Sequence, residues 1–123
     1  MPLTSDQAPG FILGYTDREV RLADQVVRTS SLITPQAVVD WPVRSVAELD
    51  ALKLAPLLAT GADVVLLATG ARQEFPPPGV LAAAAAAGVG IEVMDVGAAC
   101  RTYNVLVAED RAVALALVLP AAP

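Results

Sequence analysis

The stretch from Asp63 to Met94, DVVLLATGARQEFPPPGVLAAAAAAGVGIEVM, decides the fold. Asp63–Ala68 is a strand-length apolar run behind one acidic residue, the pattern of a strand covered on both faces. Thr69 and Gly70 end it, and a loop rich in proline and polar residues runs to Pro78. The period then changes. Gly79–Ala87 reads as a helix, because its alanine run has the highest intrinsic helix propensity. Gly88 stands where a left-handed C-cap is expected. Gly90–Met94 is the next strand. Strand, helix and strand over about thirty residues make a right-handed βαβ unit, so the two strands are expected to be parallel neighbours.

Downstream, Asp95 is a good N-cap for a helix from Val96 to Ala108. Glu109 and Asp110 turn the chain, and Arg111–Leu119 is a last, nearly all-apolar strand ended by Pro120. Upstream, Ser45-Val46-Ala47-Glu48 matches a capping box and predicts a helix that carries Leu49 and Leu52 inward. Pro56 is expected to interrupt that helix, leaving Leu54–Thr60 as a separate short helix or turn stopped by Gly61. The first third reads as short antiparallel strands, Phe11–Tyr15, Glu19–Leu22 and Gln25–Ser30, joined at Thr16–Arg18 and Ala23-Asp24. A further extended piece runs from Pro35 to Val39, closed by Trp41-Pro42. The fold class is therefore α/β: a single domain over residues 1–123, with a mixed central sheet, flanking helices and a small antiparallel β layer. Residues 1–9 and 120–123 are expected to be flexible tails.

Composition removes several function classes. The chain carries 8 Lys+Arg against 13 Asp+Glu, a net charge of −5, with 55% hydrophobic residues and no histidine. That hydrophobic content excludes disorder, and the acidic balance argues against a nucleic-acid partner. Without histidine there is no Ser-His-Asp triad. Cys100, the lone cysteine, can form neither an intrachain disulfide nor a Cys-rich zinc site. Glu48, Glu74, Glu92 and Glu109 lack the spacing of a carboxylate pair or metal site. The single lysine, Lys53, lies outside any P-loop pattern, and Gly88-Val89-Gly90 precedes a strand where a dinucleotide fingerprint would follow one. No catalytic residue, cofactor or metal is expected. The uncharged-looking run from Phe75 to Ile91 is broken by proline and glycine, so no membrane span is expected. Met1–Pro9 has the features of neither a secretory signal nor a mitochondrial transit peptide, and the expected location is cytoplasmic.

Ligands in open α/β sheets favour the carboxyl ends of parallel strands. Here those ends are Thr69, Gly70 and Arg72 after the first strand, and Asp95 after the second. The first amides of the last helix attract anions, with Arg72 and Arg101 as the nearby cations and Asp95 opposing them. Tyr103 and Asn104 complete a candidate ligand-binding set on an otherwise apolar helix. The competing reading is structural: Arg101–Asn104 tether the last helix to the Thr69-Gly70 loop, since buried polar groups must be paired. Cys100 is either a thiol activated by Arg101 or the small buried hydrophobe that free cysteine usually is. Trp41 reads as a core or interface anchor.

Glu92–Leu106, EVMDVGAACRTYNVL, followed by Glu109–Val113, EDRAV, resembles the signature of a small family of proteins of unknown function. Its best-known member is a mitochondrial NADH dehydrogenase (complex I) assembly factor. Leu66–Gly70, LLATG, and Val38–Trp41, VVDW, resemble further family elements. Ala68 and Val96 depart from the family pattern, where Gly and Thr are common. The resemblance implies a three-layer fold with a mixed sheet of about five strands, a small extra β layer, no established catalytic residue and no known cofactor. Two functions follow: a non-enzymatic interaction or assembly protein with an unidentified protein partner, or a small-molecule, anion-binding domain or enzyme at the Thr69-Gly70 edge.

Overall fold

A computed structural model describes residues 10–120; the expected tails, apart from Pro120, lie outside the described residues. The βαβ unit is present as read. β6 (Val64–Ala68) pairs parallel with β7 (Gly90–Met94), in register from Val64 opposite Gly90 to Ala68 opposite Met94. α2 (Val80–Ala86) joins them, and Gly88, at φ +84°, closes the helix with its own N–H on Ala85 O and the Val89 N–H on Ala84 O. α3 (Val96–Ala108) follows, with the Asp95 carboxylate accepting the Ala98 N–H at 2.9 Å. α3 carries the chain back past β6 to β8 (Val113–Leu117), which pairs parallel with β6 on its other side. Since the two crossovers run in opposite directions, right-handed connection puts α2 and α3 on opposite faces of the sheet.

The sheet is completed by β4 (Ser31–Ile33), antiparallel to β8, and β5 (Val38–Asp40), antiparallel to β4, giving the order β5-β4-β8-β6-β7. A separate antiparallel sheet contains β1 (Gly14–Tyr15), β2 (Val20–Arg21) and β3 (Val26–Val27). Three layers result. On one face, Leu54 and Leu57 of α1 (Ala51–Leu58), Val80 and Ala84 of α2, and Trp41 pack on Val65, Leu67, Ala114 and Ala116. On the other, α3 and the small sheet bury Val96, Ala99, Tyr103, Ile12, Val20 and Val27 against Leu66, Leu115 and Leu117. β8 has both faces covered and strands on both sides, which is why all five of its residues are buried.

Four local expectations are corrected. Ser45 makes no capping bond; Val46–Glu48 is a single 3₁₀ turn, and the Glu48 carboxylate reaches the Arg44 N–H instead. The helix begins later, capped by Asp50, whose carboxylate accepts the Lys53 N–H at 2.9 Å. That shift leaves Leu49 buried but turns Leu52 outward, 80% exposed. Pro56 lies inside α1; it removes one helix hydrogen bond, and both Pro56 and Leu52, whose carbonyl loses its partner, are exposed, so the lost bond leaves no buried polar group. The return strand expected over Gln25–Ser30 stops at Val27, and Ser31–Ile33 crosses to the central sheet. Trp41 is a core residue, its indole N–H donating to Lys53 O at 3.0 Å.

Candidate functional site

The crevice between the carboxyl ends of β6 and β7 is closed by its own backbone. The Val96 N–H, the first free amide of α3, donates to Gly70 O at 2.8 Å. The Thr69 N–H donates to Met94 O at 2.9 Å, and Thr69 Oγ1 lies 2.6 Å from Arg72 O while accepting the Glu74 N–H at 3.1 Å. Asp95 takes the Ala98 amide. Thr69, Gly70, Asp95 and the helix start therefore come together as expected, but as partners of one another. Gln73 Nε2 caps Val93 O at 2.9 Å, covering a carbonyl on the free edge of β7.

Arg101 and Asn104 do form tethers, to a different partner from the one expected, whereas the Tyr103 hydroxyl bonds to no described residue. The tethers hold the N-terminal strand, not the Thr69-Gly70 loop. The Ile12 N–H donates to Asn104 Oδ1 at 2.9 Å, and Asn104 Nδ2 donates to Ile12 O at 2.8 Å. One side-chain amide thus satisfies the donor and acceptor of an unpaired backbone residue, as a neighbouring strand would. Arg101 donates to the Tyr15 hydroxyl at 2.6 Å. Gly97 makes that approach feasible, because a Cβ there would stand 3.2 Å from the Tyr15 ring and 3.1 Å from the Arg101 guanidinium.

Two buried groups complete this helix. Cys100 is 1% exposed, and burial pushes its thiol up to about 12 against a smaller opposing effect of the Arg101 charge. At neutral pH it is a protonated, apolar packing group, the second of the two readings its sequence allowed. Tyr103 is fully buried, and its hydroxyl has no hydrogen-bond partner among the described residues. Desolvation raises its pKa well above the ordinary tyrosine value. Among the described residues no three His, Cys, Asp or Glu side chains converge on a point a metal ion would occupy.

Thr69 and Gly70 have a second side. They border an open cleft of about 370 Å³ at the carboxyl ends of β6 and β8, where the Val118 N–H extends the pairing by donating to Ala68 O. Arg18 reaches it from the β1–β2 turn, and Arg44 and Ser45 from the approach to the 3₁₀ turn. Arg72, Arg101, Tyr103 and Asn104 do not line it. Arg18 and Arg44 were missed because nothing in the local pattern around either places it at a strand end; only the tertiary path of the chain does.

The fold defines a three-layer α/β domain in which a five-stranded mixed sheet carries a small β sheet strapped to its last helix. The chain belongs to the family described as protein of unknown function (DUF498/DUF598), whose model matches residues 12–118. It is 36% identical over 99 residues to NADH dehydrogenase [ubiquinone] 1 alpha subcomplex assembly factor 3 of Xenopus tropicalis, covering 79% of this chain and 54% of that protein. The chain thus spans just over half the length of that relative. It is 37% identical over 62 residues, 50% of this chain and 50% of the relative, to a 13 kDa major membrane protein of Francisella tularensis. A solution structure of a Xanthomonas campestris protein superposes with a TM-score of 0.81 at 39% identity, covering 88% of this chain and 83% of that one. No helix among the described residues is long and apolar enough to cross a membrane.

Proposed function

We propose that this chain is a non-enzymatic interaction domain that assists assembly of a respiratory NADH dehydrogenase by binding protein partners, and that it works in the cytoplasm. The observation that carries the reading is the likeness, along most of the chain, to an assembly factor for that complex. The side chains of α3 that looked most like chemistry fit it as well. Asn104 and Arg101 are engaged in holding the small sheet, and Cys100 is an inert thiol. Leu13, next to the Ile12 that Asn104 holds, and Val105 of α3 are 51% and 57% exposed and offer apolar contact to a partner. The acidic net charge favours a protein partner over nucleic acid. The test is removal of the chain from its own cells, followed by native-gel measurement of assembled NADH dehydrogenase. Loss of the full complex with accumulation of subassemblies is expected. An unchanged amount of complex formed at an unchanged rate overturns the assembly reading.

A further inference from the structure

We propose that the cleft at the carboxyl ends of β6 and β8 binds a free carboxylate between the guanidinium groups of Arg18 and Arg44. The carboxylate is that of a small organic acid or of a peptide C-terminus.

The position is the one where ligands settle in open α/β sheets, outside the carboxyl ends of parallel strands. Unlike the crevice between β6 and β7, this one is not filled by the chain's own hydrogen bonds and leaves about 370 Å³ open. Gly70 borders it at φ +97°, and a Cβ built there would meet nothing within 4 Å, so the space over the loop is free. Two arginines line it, delivered by loops from separate layers. Among the described residues neither is in an ion pair, so both guanidinium groups are available to a ligand. Glu48, four residues after Arg44, accepts the Arg44 backbone N–H. Ser45, whose hydroxyl makes no capping bond, lines the same wall.

The charge of the ligand follows from the rest of the lining. Asp17 and Glu74 also border the cleft, so it is neutral overall. A dianion such as phosphate meets two carboxylates along with the two arginines. A single carboxylate is matched by the planar fork of one guanidinium and the charge of the second. Of the two, the monoanion is the better match to this lining. This inference is independent of the assembly reading, and either can fail alone.

The experiment is a titration of the ¹⁵N-labelled full chain, followed by amide chemical shifts. The probes are N-acetyl-alanyl-alanine, the same dipeptide with its C-terminus amidated, sodium acetate and sodium phosphate. The free acid is expected to move the amides of Ser45, Val46, Gly70 and Ala71 saturably. The amidated dipeptide should bind about tenfold more weakly or worse, the loss expected when a charge-assisted pair is removed. Arg18→Ala and Arg44→Ala should each weaken binding by about tenfold, while amide shifts elsewhere report that each variant is folded. Arg44→Lys should retain part of the affinity. Acetate binding as tightly as the dipeptide assigns the ligand to small acids, and tighter dipeptide binding assigns it to a peptide C-terminus; both support the carboxylate. The proposal is overturned by any of three results: no saturable shift below roughly 10 mM, equal response to the amidated dipeptide, or phosphate binding more tightly than the free acid.

Discussion

Replacing Tyr103 with phenylalanine should stabilise the protein. The intuitive expectation runs the other way, since a buried tyrosine usually donates a hydrogen bond whose loss costs about 1 kcal/mol. Tyr103 has zero exposure, however, and its hydroxyl finds no partner among the described residues. In the unfolded chain water satisfies that hydroxyl; in the folded chain no described residue does. The penalty for such a group is about 1–3 kcal/mol. Removing the oxygen leaves a void of roughly 10–15 Å³, about one water-sized probe, which at ~24 cal/mol per Å³ costs about 0.3 kcal/mol. The balance is a gain of about 1 kcal/mol or more, which for a domain of this size raises Tm by about 4 °C. Urea unfolding at neutral pH measures it, with an unchanged m-value showing that the two states are otherwise the same. A loss of about 1 kcal/mol would refute the reasoning and place a bound water or another partner on the hydroxyl. The variant carries a second signature. The folded-state pKa of Tyr103 is raised, so above the ordinary tyrosine range the unfolded state releases a proton that the folded state keeps. Wild-type stability then falls with rising pH, and the phenylalanine variant lacks that contribution.

Cys100 gives the same sign at lower pH. Its pKa rises from 9.0 to about 12, so its contribution is fully present below pH 9 and lost as pH rises toward 12. The slope approaches about 1.4 kcal/mol per pH unit. Cys100→Ala should flatten alkaline unfolding curves over that window, and the wild-type thiol should resist an aromatic disulfide reagent at pH 8 until the protein unfolds. Asn104→Ala removes both bonds to Ile12 and should cost about 2–3 kcal/mol, with hydrogen exchange at Ile12 accelerating more than exchange in β6. Gly10→Ala should destabilise more than Gly70→Ala. Both have positive φ, but a Cβ at Gly10 would stand 2.7 Å from Pro35 Cα, whereas one at Gly70 meets nothing. Thermal melts should place Gly70→Ala about 1–2 kcal/mol below wild type and Gly10→Ala lower still.

Local patterns carry information only about interactions that are themselves local, and this chain separates the two kinds sharply. Val64–Ala68, the alanine helix, Gly88 and the Asp95 cap were legible because the bonds that fix them lie within a few residues, or follow from a buried strand needing cover on both faces. Ser31–Ile33 was not legible. Its place in the central sheet is set by pairing with Leu115–Leu117 at the far end of the chain, and a three-residue strand has no period of its own to read. The capping box failed for a related reason. Ser45 and Glu48 have the right spacing, but the Arg44 amide competes for the same carboxylate, and Asp50 offers a helix start that places Leu54 and Leu57 against the sheet.

The candidate site repeats this contrast. Thr69, Gly70 and Asp95 were correctly expected at the strand ends, because strand ends follow from strand assignments. What they do there depends on which orphaned backbone groups lie within reach, and those groups belong to one another. Asn104 was recognisable as a polar residue needing a partner, yet its amide fits any backbone residue that lacks one, and the choice of Ile12 is made by the path of the N-terminal strand. Arg18 and Arg44 carry the weakest local signal of all, since an arginine in a surface loop has no pattern to break. Their meaning lies in being delivered to the same strand ends from different layers.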